Sequence, residues 1–206
     1  MNFTIVALAA SLLLLSAPAA AQNRWELDAA LGYRFGGSAD VEAEGAEGRV
    51  TIGDDVAFTG IASYMVQPNG FVYLNYTRQV ATLRYLSDDL QTTGETPLST
   101  DVVHFGGNLE LPRGRVIPYL GFSLGATRFG AMDLGYDSWA FSMALDGGVK
   151  VDITEWFHLR FLGRIPFTFV TSEAGAFCVS PVGCVVLVSG GPLVQGEVYG
   201  GIGLDF

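Results

Sequence analysis

Two histidines, two cysteines and nine charged residues at alternating positions are the parts of this 206-residue chain that could do chemistry. A histidine can act as a general base or a metal ligand, and His104 and His158 are the two in the chain. A hydrolase would need a serine and an acid beside one of them. The nearest acids in sequence are Asp101 for His104 and Glu155 for His158, and neither comes with a convincing nucleophile. Neither histidine has metal-ligand company in the sequence. No catalytic, cofactor-binding or metal residue is assigned, and the chain reads as a non-enzyme. The nine charges are Glu26, Asp28, Glu110, Asp146 and Glu197 against Arg34, Lys150, Arg160 and Arg164. Both signs occur in similar number, so they can pair, as buried charges must.

These charges sit on strands. In Trp25 to Phe35, bulky residues (Trp25, Leu27, Leu31, Tyr33, Phe35) alternate with Glu26, Asp28 and Arg34. A period of two is what an extended strand imposes. The same alternation recurs from Val56 to Val66, from Phe71 to Gln79, from Val103 to Leu111 and from Val116 to Phe129. It returns in Trp139–Val151, Phe157–Phe169 and the closing Val194–Phe206, which makes eight strands. Both histidines fall on the polar phase. Arg78 falls on the apolar phase, so it sits near an interface or a bulge shifts the register there. Gln67-Pro-Asn-Gly70, Pro112-Arg-Gly-Arg115 and Asp152-Ile-Thr-Glu155 have the composition of tight turns. Residues 36–55, 86–101, 130–138 and 170–192 read as longer loops.

The ends carry their own signals. The apolar run from Ile5 to Leu15, followed by Ala19-Ala-Ala21, has the form of a secretory signal cleaved after Ala21, although no Lys or Arg precedes it. Residues 1–21 are then the signal and 22–206 one domain. Export brings an oxidising compartment, so Cys178 and Cys184 in the last loop read as a disulfide. Closing so small a loop stabilises by roughly 2 kcal/mol in the entropic account. The formal charge of −10 argues against nucleic acid as a partner. Most of the acid excess lies in the loops, at residues such as Asp40, Glu42, Asp88, Asp101, Asp137 and Glu173. None of their spacings matches a calcium loop.

Periodicity alone does not say which face is the core. A soluble sandwich buries the apolar phase; a membrane barrel turns it outward. Three features favour the barrel. The polar phases hold much Gly, Ser and Thr and little Lys, unlike a solvated surface. Aromatic residues gather near strand ends, with Trp25, Trp156, Phe157 and Phe206 at one rim and Phe35, Tyr85, Phe129, Trp139 and Phe169 at the other. Such girdles mark the two membrane interfaces. The apolar phase also holds too much Phe to hide in a small lumen.

Tyr73-Leu-Asn-Tyr-Thr-Arg-Gln79, Pro118-Tyr-Leu-Gly-Phe-Ser-Leu-Gly125, Gly147-Gly-Val-Lys150, the loop cysteines and the closing Gly-Ile-Gly-Leu-Asp-Phe206 resemble the bacterial outer-membrane β-barrel domain family. The small OmpA-, OmpX- and OmpW-type barrels are its better-known members. The resemblance implies an all-β, eight-stranded antiparallel up-and-down transmembrane barrel. It implies a polar lumen plugged by the nine charges, with both mature termini in the periplasm and long loops outside the cell. Ile202, Leu204 and Phe206 match the final-strand signal that the family's insertion machinery reads. The expected partners are outer-membrane lipid, lipopolysaccharide and that machinery, and the expected state is a monomer without cofactors. The expected roles are membrane integrity or surface interaction through the loops. A narrow channel for small or hydrophobic solutes is the alternative, and a lipid-modifying enzyme a more distant one.

Overall fold

The computed structural model describes residues 25–43, 46–87, 93–112, 114–131, 136–170, 176–179, 183–187 and 192–206. Every element in it is a strand. Eight long strands carry the architecture: β1 (Trp25–Phe35), β4 (Asp55–Gln67), β5 (Gly70–Ser87), β6 (Thr93–Glu110), β7 (Val116–Ala131), β8 (Tyr136–Asp152), β9 (Phe157–Phe169) and β13 (Gly196–Asp205). Each pairs antiparallel with its neighbours, β1 with β4 and onward through β5, β6, β7, β8, β9 and β13. β13 then pairs with β1, so the sheet closes on itself and no long edge is left open. The seam is tied at its end, where the Trp25 amide donates to the Phe206 carbonyl and the Phe206 amide to the Trp25 carbonyl.

The apolar phase points out. Leu31, Phe105, Leu120, Phe161 and Ile202 are all exposed on the outer wall, Leu31 by 64% and Leu120 by 69%. A water-facing surface with this many exposed Leu, Ile, Val and Phe side chains would be an association hazard. Against acyl chains it is the natural solvent boundary, and a closed barrel satisfies every strand hydrogen bond in lipid. Trp25 and Trp156 stand exposed at the rim that carries the short turns, and Trp139 and Phe35 at the opposite rim. Pro68-Asn69 make a two-residue turn, with Asn69 in the left-handed region at φ 67°.

The stretches expected to be loops differ from that expectation. Residues 36–55 contain the hairpin β2 (Ser38–Ala43) and β3 (Ala46–Ile52), and β3 pairs with the far end of β5. β5 runs on to Ser87, and β6 already begins at Thr93. The last long connection holds the hairpin β10 (Ala176–Val179) and β11 (Gly183–Leu187), whose second strand pairs with β2. The two-residue β12 (Leu193–Val194) pairs with β9. The barrel wall therefore continues well past its apolar band, because polar residues keep the ladder as readily as apolar ones. No proposed signal residue before Arg24 lies among the described residues.

Two further findings concern single side chains. Phe129 is no rim aromatic. It points inward and is buried among Val50, Ile52, Leu83 and Leu98. Arg78 sits in regular register between Phe58 and Asp101, and the bulge lies elsewhere, at Met65/Gln67. Its side chain is half exposed on the outer wall, 3.6 Å from Asp101, which also approaches Arg128 at 3.6 Å. Asp101 is thus a strand residue under two arginines and not a loop acid. The Tyr76 hydroxyl donates to it at 2.7 Å, and Arg128 makes a two-pronged contact with Asp137. This row of paired charges caps the apolar band on the long-hairpin side. A cation on the lipid face costs about 0–1 kcal/mol near an interface against about 2–4 kcal/mol at the midplane, which is why the row stands so high on the wall.

Candidate functional site: the barrel interior

The inward phase builds four layers. The lowest, at the short-turn rim, is a charge cluster. Lys150 on β8 meets Glu26 of β1 at 2.5 Å and also pairs with Glu110 of β6. Arg160 on β9 reaches Glu26 at 3.0 Å through Nη2 and Asp28 at 3.0 Å through Nε. His158, one step below Arg160 on the same phase, lies 2.8 Å from Asp28 through Nε2 and 2.9 Å from Asp205 through Nδ1, so both ring nitrogens face carboxylates.

Above it lies a layer of Ala30, Ile61, Tyr73, Tyr119, Leu162 and Tyr199. Rings fit there because glycines lie beside them. A Cβ on Gly32 would run into the Tyr199 ring, and one on Gly148 into Tyr119. The space left among Ile61, Tyr73, Asn108, Tyr119, Asp146, Arg160, Leu162 and Arg164 is about 10 Å³. That is room for a single water.

The third layer is again ionic. Arg164 is its hub. Its Nε donates to Asp146 at 2.6 Å, and Nη1 donates to Asn75 at 2.8 Å and Thr77 at 3.1 Å, with Glu197 at 3.5 Å. Asp146 also accepts from the Tyr73 hydroxyl. Arg34 approaches Glu197 at 3.2 Å and donates to Gln195 at 2.7 Å. Beside this layer, His104 lies 2.7 Å from Ser142 Oγ and 3.2 Å from Ser123 Oγ, while Thr127 donates to Ser142. The sequence did not show this serine–histidine proximity, because β6 and β8 are not adjacent strands. The ring has no carboxylate bonded to it among the described residues, and His104 and Ser142 are both fully buried. The arrangement lacks the orienting acid and the access that a hydrolase needs.

The top layer is apolar: Val50, Ile52, Ala81, Leu83, Leu98, Phe129, Ala140 and Leu193, with Val170 against it. It was missed from sequence, although the inward phase of several strands announces it. Leu83 shares the phase of Gln79, Leu98 that of His104, Phe129 that of Thr127 and Leu193 that of Gln195.

All nine charges singled out from sequence are buried inside this stack. The sequence did not reveal their division into a lower cluster around Glu26 and an upper one around Arg164. Nor did it show that Glu26 and Asp28 gather at His158, which does have potential ligands around it. Ile202 and Phe206 point outward and Leu204 is half-buried, while Asp205 between the last two turns in to His158. Cys178 and Cys184 are direct cross-strand partners in the β10–β11 hairpin, and their side chains lie outside the described residues.

Three solved barrels have this fold. Neisserial surface protein A is 17% identical, covering 88% of this chain and 97% of its own, with a TM-score of 0.53. The outer membrane protein OprG from Pseudomonas aeruginosa is 14% identical, with coverages of 90% and 97% and a TM-score of 0.57. The outer membrane protein AlkL, determined in lipid bilayers, is 17% identical, with coverages of 93% and 94% and a TM-score of 0.51. At these identities the likeness speaks to fold alone. A comparison with curated proteins gives no match. The profile of the outer membrane protein β-barrel domain matches residues 7–166, and the chain belongs to that family.

Proposed function

We infer that this is a non-enzymatic outer-membrane barrel whose interior is a plug, and that it acts through its wall and its outer hairpins. The single observation behind this is the filled lumen. Two ionic layers, a ring layer and an apolar layer follow one another, and the gap at mid-height holds about 10 Å³. A hydrated ion does not pass such a gap without moving side chains. In planar bilayers the purified protein should leave the baseline conductance unchanged. Steps that disappear on changing Arg160 or Glu110 would instead make it a channel.

A second reading has one observation in its favour. The apolar top layer resembles the start of a path for small hydrophobic solutes. Two ionic layers with the ring layer between them lie beneath it, so such a path would require the top layer to open sideways or the charges to part.

In the membrane, both termini and the short turns face the periplasm, and the β2–β3 and β10–β11 hairpins face outward with lipopolysaccharide around them. Residues 1–21 are the export signal, and the final-strand residues Ile202, Leu204 and Phe206 address the insertion machinery. The protein is a monomer, because its closed sheet leaves no long edge to pair. Cys178 and Cys184 form a disulfide, supported by their direct cross-strand pairing. Intact mass spectrometry of protein purified from the envelope tests two of these points at once. The chain should begin at Gln22, and both cysteines should resist alkylation until a reductant is added. Alkylation of both without reductant would remove the disulfide.

A further inference from the structure

We propose that Glu26, Asp28 and His158 form a binding site for a divalent transition-metal ion of the zinc type, at the short-turn end of the lumen. One ligand atom from each residue lies within 4.8 Å of the other two, and all three residues are buried. Ligand atoms around a tetrahedral ion with ~2 Å bonds stand roughly 3.3 Å apart, so small side-chain rotations complete the contact. The donor set is one imidazole and two carboxylates, which suits zinc among the available ions.

Three further observations point to a ligand. Asp28 Oδ2 is buried and has no hydrogen-bond partner among the described residues, whereas Oδ1 of the same carboxylate is hydrogen-bonded to His158 and lies 3.0 Å from Arg160 Nε. A buried carboxylate oxygen left bare is costly and calls for a cation or a proton. Second, Gly203 of β13 lets His158 Nε2 and Asp28 Oδ1 meet against its backbone, since a Cβ there would overlap both. Third, Asp205 already holds the other ring nitrogen of His158 at 2.9 Å. Metal-bound histidines typically donate their second N–H to such a carboxylate, which fixes the ring and raises its basicity.

The charge balance agrees. Glu26, Asp28, Glu110 and Asp205 face Lys150 and Arg160, so carboxylates outnumber the fixed cations of the cluster. The ion binds through the Nε2 lone pair, and a proton on that nitrogen leaves to solvent. Lys150 and Arg160 remain on Glu26 as the cations that keep the rest of the cluster paired. The ligands come from β1 and β9, and β13 runs between those strands with Asp205 behind the ring. A bound ion would therefore clasp the seam where the barrel closes.

The test uses the full mature protein folded in detergent micelles, titrated with Co²⁺ and then with Zn²⁺. We expect one Co²⁺ per chain with visible absorption bands of a low-coordinate site, displaced by Zn²⁺. His158→Gln and Asp28→Asn should each abolish the bands, Asp205→Asn should weaken binding by about 10–100-fold, and His104→Gln should leave it unchanged. Absence of saturable binding would overturn the proposal. So would equal affinity in His158→Gln, which would place the ion on the acidic hairpins. Where His158→Gln fails to fold, the ring resonances of the wild-type protein decide: Zn²⁺ must move those of His158 and spare those of His104, and unmoved His158 resonances would refute the site.

Discussion

Replacing Arg164 by Met should lower the unfolding free energy by about 3–5 kcal/mol, the cost of stranding buried charges. Arg164 touches Asp146, Glu197, Asn75 and Thr77 at once, and all of them are buried. Removing the guanidinium leaves two carboxylates on the strands either side of β9, with Arg34 as the nearby compensating cation. Denaturant titration in micelles, followed by the gel mobility of unheated samples, measures the loss. The triple change Arg164→Met, Asp146→Leu, Glu197→Met should regain most of it, because neutral packing replaces a network that was costly to dehydrate. If Arg164→Met were neutral, the third layer would be wet and open and not a plug.

Phe105→Arg should cost about 2–4 kcal/mol, the penalty for a cation at the middle of the lipid-facing wall. Phe105 is exposed and sits in a row with Leu74 and Leu124, well below the Arg78–Asp101–Arg128 row. The paired control is Val80→Arg, two residues beyond Arg78 on the same outer phase, where about 0–1 kcal/mol is expected. Equal effects at both positions would mean that no hydrocarbon band separates them.

These two expectations rest on different kinds of legibility. The wall was readable because a strand has a strict period of two and lipid demands an unbroken apolar phase. Leu27, Leu31, Phe58, Leu120 and Phe161 announce that phase without help from any partner. The interior was readable only as a set of inward charges. Which ones meet depends on how far neighbouring strands are staggered, and stagger leaves no mark within a single strand. Lys150 on β8 finds Glu26 on β1 and Glu110 on β6, none of them adjacent strands, so no local pattern could pair them. The Ser142–His104 contact was hidden for the same reason. Phe129 was misplaced because aromatics near strand ends suggest a girdle, yet its parity with Thr127 already put it inside. The hairpins β2–β3 and β10–β11 read as loops because their alternation is short, and in β2–β3 acid-rich, and they gain their pairing from the strands next to them.

The claim beneath all of this is that greasy side chains look out and ions look in, and three tryptophans report on it without mutation. Trp25, Trp139 and Trp156 all stand on the outer wall near the rims. The protein should be refolded into vesicles whose acyl chains carry bromine at different depths, and its tryptophan emission recorded. We expect strong quenching that is greatest for bromine near the headgroups and weaker for bromine at the bilayer centre. Emission untouched by brominated chains but quenched by aqueous iodide would place the tryptophans in water, and the inside-out barrel would be wrong.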